Sequence, residues 1–349
     1  MENQNDLRLI NTYRAAIMGF AALWIYIFHE WVPVIDRAGI LQDLEKYIKY
    51  SGFCGVDIFF FLSGMGLIHS MEKHSVLTFY QRRMSRVLIP YTLTAVAMMI
   101  GQGWSLELFF KNLVGYNFWT KDIYSFLWFV PAILTLYLLF PLYHRAFQKA
   151  PSKFQLTAAV LILWLFLTLQ LEGKLRYDLF GFTNRLPVFF AGVLVGWVVW
   201  EREVVFTGLT WAVTGLTLFL GIFLAYKTNF EGYYFLVPAS NCCAPNFLMA
   251  VSGSCLLAKG FSLLERFTGK FGKTVLKVLG FFGKMSFELY CVQEWIGGEI
   301  TAAMQGRFDS KIINPAVFAG VFSAMVLLYG SSKLVRTAGG TIRKLVKIS

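Results

Sequence analysis

The chain has 349 residues, of which 57% are apolar and only 15% are charged, whereas roughly 25% charged residues are usual in soluble domains. This composition argues against a soluble enzyme and indicates an integral membrane protein. The net charge of +12 does not indicate nucleic-acid binding, because most Lys and Arg residues lie between hydrophobic runs. There they fix membrane topology and meet anionic lipid, so membrane lipid is an expected partner and nucleic acid is not.

Apolar runs recur along the whole chain, and a membrane-spanning helix needs about 20 mostly apolar residues. The runs lie at residues 15–35, 52–71, 87–104, 123–143, 154–171, 186–200, 204–225, 244–260, 279–298 and 313–331. They predict an all-α polytopic membrane protein with about ten transmembrane helices. The segments between them are too short for a separate soluble domain, so we expect one transmembrane domain over residues 1–349 with no appended soluble domain.

The basic residues predict the orientation of these helices. If the N-terminus is cytoplasmic, about two thirds of the 32 Lys and Arg residues fall in cytoplasmic segments, as the positive-inside rule requires. We therefore expect both termini to be cytoplasmic in a multi-pass protein of the plasma membrane. The first 14 residues have mixed charge and lead into a long apolar run, which predicts an uncleaved first helix.

Several ionisable side chains interrupt the apolar runs, where burying a charge costs at least a few kcal/mol. They are His29, Glu30, Asp57, Arg185, Glu288 and Glu294. Some of them would reach water if they lie near the membrane surface, and Glu30, Arg185 and Glu294 are candidates for that role. His29 differs because imidazole titrates near neutral pH and can move protons, although a lone histidine is more often structural.

A basic cluster precedes the third apolar run. Arg82 and Arg86 are one helical turn apart and share a face, with Arg83 beside them. The cluster is either a cytoplasmic topology anchor or a clamp for phosphate, which paired guanidinium groups bind through two hydrogen bonds each. Together with His29, it suggests a phosphorylated cytoplasmic donor that reaches a base inside the membrane.

Six ordered blocks resemble the membrane acyltransferase-3 family, O-acyltransferases that modify bacterial cell-surface glycans. The first, GFAALWIYIFH, ends at His29; the others are GFCGVDIFFFLSGMGL, FYQRRMSRVLIPY, SFLWFVPAILTLYLLFPL, NRLPVFFAGVLVG and GKMSFELYCVQ. The resemblance spans roughly residues 8–330. It implies transfer of an acetyl or other short acyl group from cytoplasmic acyl-CoA, expected to be acetyl-CoA, to a hydroxyl of a surface glycan or lipid-linked sugar. No metal is expected.

The resemblance also implies roles for individual residues. His29 is the expected general base or, alternatively, a nucleophile that carries the acyl group. The residues themselves suggest that Asp57 or Glu288, each on another span, orients its ring, because Glu30 lies 100° around the helix from His29. The CoA phosphates are assigned to the basic residues Arg14, Arg82, Arg83 and Arg86. In the FLSG segment, Ser63 and Gly64 either line the substrate route or allow close helix packing.

Two positions depart from the family pattern. Met18 stands where the family commonly has Arg, and Arg14 lies one turn earlier, about 22 Å from His29 along a continuous helix. Arg14 either contacts the far end of an extended donor or is a cytoplasmic anchor. Gln293 stands where the family often has His, which puts the role of this position in doubt. A transporter or flippase of a lipid-linked sugar or acyl donor, and a non-catalytic membrane partner, are the alternative functions.

Overall fold

The computed structural model describes residues 5–35, 37–121, 126–174, 176–233 and 243–346. All regular secondary structure in these ranges is helical, which confirms the all-α class. The α-helices are α1 Arg8–Thr12, α2 Arg14–Glu30, α3 Ile40–Tyr50, α4 Cys54–Lys73, α5 Val76–Gly101, α6 Leu106–Leu113, α7 Tyr116–Thr120, α8 Phe129–Lys149, α9 Lys153–Leu171, α10 Phe180–Thr183, α11 Leu186–Glu201, α12 Gly208–Glu231, α13 Cys243–Thr268, α14 Lys270–Lys284, α15 Ser286–Met304 and α16 Ser310–Val346.

A helix overlaps each of the ten predicted apolar runs; residues 123–125 of the fourth run lie outside the described residues. By length and composition, eight helical segments of the described chain can cross a membrane. The two remaining predicted spans are α2, which has 17 residues, and α15, whose sequence contains Glu288, Glu294 and Glu299. The chain is therefore an all-α polytopic membrane protein. A count of ten rests on α2 and α15 also crossing, and the cytoplasmic termini stay a prediction.

The chain forms two compact units. The first comprises Met1–Phe28, Ile35–His74 and Phe140–Lys284, and the second comprises His29–Val34, Ser75–Leu139 and Met285–Ser349. Both units are assembled from segments far apart in sequence, so the predicted site residues are divided between them.

In the first unit, glycines let α4 and α11 approach closely. A Cβ atom at Gly64 would overlap the carbonyl oxygen of Phe189, and one at Gly192 would overlap that of Phe61. Small residues of this kind are typical of helix interfaces in membranes, where backbones pack directly on each other. Close packing therefore accounts for the glycine of the FLSG segment.

In the second unit, α15 packs against α5 and α16. The backbone N–H of Phe129, at the start of α8, donates a hydrogen bond to the Tyr290 hydroxyl oxygen at 3.0 Å. Gly320 of α16 leaves room for the side chain of Ile300. These contacts fix the position of α15, which carries the two glutamates of the ninth predicted span.

Candidate active site

The short segment that contains His29 is held by α16. This segment, His29–Val34, comprises the last two residues of α2 and the four residues after it, where backbone groups lack helical partners. The side-chain amide of Asn314 accepts a hydrogen bond from the Val32 N–H at 2.9 Å and donates one to the Val32 carbonyl at 2.8 Å. Because one buried amide satisfies both backbone groups, the chain just after His29 has a defined path.

His29 is paired with a carboxylate of α15. Its Nε2 lies 3.4 Å from Oε1 of Glu294, and the exposed fractions of the two side chains are 29% and 57%. A carboxylate at one ring nitrogen favours the N–H at that nitrogen and leaves the lone pair on the other. His29 can therefore act as a base whose ring is oriented by the Glu294 carboxylate.

Glu294, which the sequence makes a candidate to reach water near the membrane surface, is the carboxylate that contacts His29. Glu288 lies six residues earlier on α15, about 9 Å along the helix axis. Glu288 is buried, and its Oε1 lies 3.8 Å from Nη2 of Arg336. Arg86 also interacts with its charge. The structure thus brings Glu288 to the arginines of the second unit, and its catalytic assignment stays a prediction.

A glycine of α15 makes room for the residue that follows His29. Glu30 is 7% exposed, and its carboxylate occupies the space that a side chain at Gly297 would need. This close approach shows that the face of α15 carrying Gly297 turns toward the segment that contains His29. Gln293 lies one turn earlier on that face. No pattern in the sequence alone pointed to either contact.

The three arginines of α5 have different surroundings. Arg82 and Arg86 are exposed, whereas the guanidinium carbon of Arg83 lies 6.0 Å from the ring centres of both Phe79 and Tyr137. Cations at this distance from aromatic rings are held in place by the ring electrons. Arg83 therefore contributes to the packing of α5, and the phosphate-clamp role of the exposed Arg82 and Arg86 stays a prediction.

Arg14 and Asp57 lie in the first unit. The Arg14 guanidinium donates a 2.6 Å hydrogen bond to the Leu62 carbonyl oxygen of α4. Asp57 is 1% exposed, accepts a 2.8 Å hydrogen bond from the side-chain amide of Asn246, and lies 3.8 Å from Nε of Arg185. These three contacts are what a helix-packing role requires, so the donor-binding role of Arg14 and the catalytic role of Asp57 remain predictions.

Among the residues that the structure describes, no three His, Cys, Asp or Glu side chains are grouped closely enough to hold a metal ion. The four cysteines within the described ranges are buried and free of disulfides; they are Cys54, Cys243, Cys255 and Cys291. Cys242 lies outside those ranges.

The sequence model of the acyltransferase-3 family, described as an acyltransferase domain, matches residues 16–330. No curated protein and no solved structure matches the chain at a significant level. The family match covers nearly the whole chain and includes every candidate site residue except Arg14. The chain therefore belongs to the acyltransferase-3 family and is a multi-pass membrane acyltransferase.

Proposed function

We propose that this acyltransferase moves an acetyl or other short acyl group from cytoplasmic acyl-CoA to a hydroxyl of a cell-surface or lipid-linked glycan in the plasma membrane, with His29 as general base. The observation that supports this most directly is the pairing of His29 with Glu294, 3.4 Å apart. A histidine held by a carboxylate is the combination that activates a hydroxyl for acyl transfer.

The proposed reaction follows from the chemistry of this pair. With the proton of the neutral ring on Nε2 facing Glu294, the lone pair on Nδ1 removes the proton of the acceptor hydroxyl. The acceptor oxygen attacks the thioester carbonyl carbon, so a C–O bond forms and the C–S bond then breaks. The departing CoA thiolate takes the proton from the imidazolium, which restores the neutral ring. A positioned general base contributes about 10²–10⁴-fold to the rate.

The exposed arginines of α5 supply the donor contacts in this proposal. Arg82 and Arg86 lie one turn apart and bind the CoA phosphates through charge-assisted hydrogen bonds. Arg83 is held by aromatic rings and stabilises the helix that carries the clamp. Arg14 is assigned to a further phosphate contact.

The proposal is tested by incubating the purified protein in nanodiscs with acetyl-CoA and measuring release of the free thiol. We expect slow release by the wild type, a loss of about 10²-fold or more in His29→Ala, and a smaller loss in Glu294→Gln. His144→Ala is the matched control, since this histidine of α8 contacts Gln148 in the first unit and should leave the rate unchanged.

Each outcome of this assay tests a different part of the proposal: the role of His29, the donor or the acceptor. Equal release by the wild type and His29→Ala would remove His29 from the mechanism. If the wild type releases no thiol even after candidate glycan acceptors are added, acetyl-CoA is not the donor. Transfer of radiolabelled acetyl to an acceptor in the same assay identifies the acceptor class.

A further inference from the structure

The side chain of Gln293 is buried in α15 with an unsatisfied donor. Gln293 is 1% exposed, and its side-chain nitrogen Nε2 has no hydrogen-bond partner within the described ranges, 5–35, 37–121, 126–174, 176–233 and 243–346. Leaving a buried polar group unpaired costs about 1–3 kcal/mol, and native proteins rarely retain such a group without a reason. A ligand that supplies the missing acceptor is one such reason.

Helix geometry places this donor on the side of α15 that faces the candidate base. Gln293 directly precedes Glu294, whose carboxylate contacts His29. It lies one turn before Gly297, against which the Glu30 carboxylate packs. Residues four apart on a helix share a face and are about 6 Å apart along the axis. The Gln293 side chain therefore leaves α15 on the face that also meets the segment His29–Glu30.

We propose that Gln293 is a catalytic residue whose Nε2–H donates a hydrogen bond to the thioester carbonyl oxygen of the donor; this inference rests on the proposed function. When the acceptor oxygen attacks, the carbonyl electron pair moves onto this oxygen, which carries a negative charge until the C–S bond breaks. A fixed donor in a buried site stabilises that charge, and removal of one such donor from other acyl-transfer enzymes costs about 10²–10³-fold in kcat.

The residue type suits this task. An amide donates without a charge of its own, so it avoids the large cost of burying an ion in a low-dielectric site. The Nε2 atom has almost no accessible surface, so the proposal requires that donor binding opens this face of α15 and brings the thioester oxygen to Nε2.

The test replaces the donor with an apolar side chain of similar size and compares kcat with the KM for acetyl-CoA. In Gln293→Leu we expect kcat to fall about 10²–10³-fold and KM to change less than threefold, because the hydrogen bond is much stronger to the negatively charged oxygen of the transition state than to the carbonyl oxygen of the bound donor. The melting temperature should stay the same or rise, since an unpaired buried amide is removed. Gln293→Met is the second variant in case the branched side chain disturbs folding.

Two further variants complete the experiment. Gln305→Leu, at the exposed end of α15, is the matched control and should leave kcat unchanged. Gln293→His restores an N–H donor and should recover at least a tenth of the wild-type kcat. The inference is overturned if a folded Gln293→Leu or Gln293→Met enzyme keeps kcat within threefold while His29→Ala remains inactive, an outcome that leaves the proposed function intact. A raised KM at unchanged kcat also overturns it.

Discussion

Removing Arg185 should destabilise the first unit, because it leaves the buried carboxylate of Asp57 without its counter-ion. Asp57 and Arg185 are 1% and 7% exposed, and 3.8 Å separates Oδ2 from Nε. At that distance and an effective dielectric constant of 20, the attraction is about 4 kcal/mol. Breaking a buried pair by removing one partner costs about 3–5 kcal/mol, so we expect Arg185→Met to lower the free energy of unfolding by that amount.

The double-mutant cycle isolates the pair. Asp57→Asn removes the carboxylate that Arg185 faces and should also be destabilising, although the new amide oxygen can still accept the hydrogen bond from Asn246. The double variant Asp57→Asn/Arg185→Met removes both charges and should cost less than the sum of the single variants, since neither ion is then left unpaired. Unfolding by SDS titration of the purified protein, followed by circular dichroism, measures all three.

An exposed pair provides the control for this cycle. Lys227 and Glu231 approach more closely, at 2.6 Å, but their side chains are 35% and 44% exposed. Lys227→Met should therefore cost less than about 1 kcal/mol. The reasoning fails if Arg185→Met is no more destabilising than Lys227→Met. Thiol release by the double variant addresses chemistry at the same time: retained activity would show that Asp57 is not catalytic.

In Gly297→Ala the new methyl group should displace the Glu30 carboxylate. We therefore expect kcat to fall at least tenfold and the free energy of unfolding to fall by about 1–3 kcal/mol. A variant with the kcat and the melting temperature of the wild type would contradict this. In Arg82→Gln/Arg86→Gln, the acetyl-CoA KM should rise about tenfold or more while the melting temperature is kept, since both side chains are exposed, and an unchanged KM would refute the clamp. Arg83→Gln should instead lower the melting temperature, by the loss of two cation–aromatic contacts worth about 0.5–1 kcal/mol each.

The sequence by itself determined the class of protein, the positions of its long apolar helices and its family. The apolar runs required membrane helices because hydrocarbon cannot satisfy exposed backbone groups, and a helix lies over each run in the described chain. The ordered blocks identified the acyltransferase-3 family, which the match over residues 16–330 confirms. His29 and the arginine cluster stood out because ionisable groups in or beside apolar runs are few.

Only the tertiary structure decided the partners of these residues. Periodicity shows which residues share a face of one helix, but not which distant helix that face meets. Glu294 is the carboxylate against His29, and Asp57 meets Arg185 and Asn246, because helix packing brings together positions far apart in the chain. Packing also separates three arginines that look equivalent in the local sequence. Arg83 lies against two aromatic rings, whereas Arg82 and Arg86 are exposed.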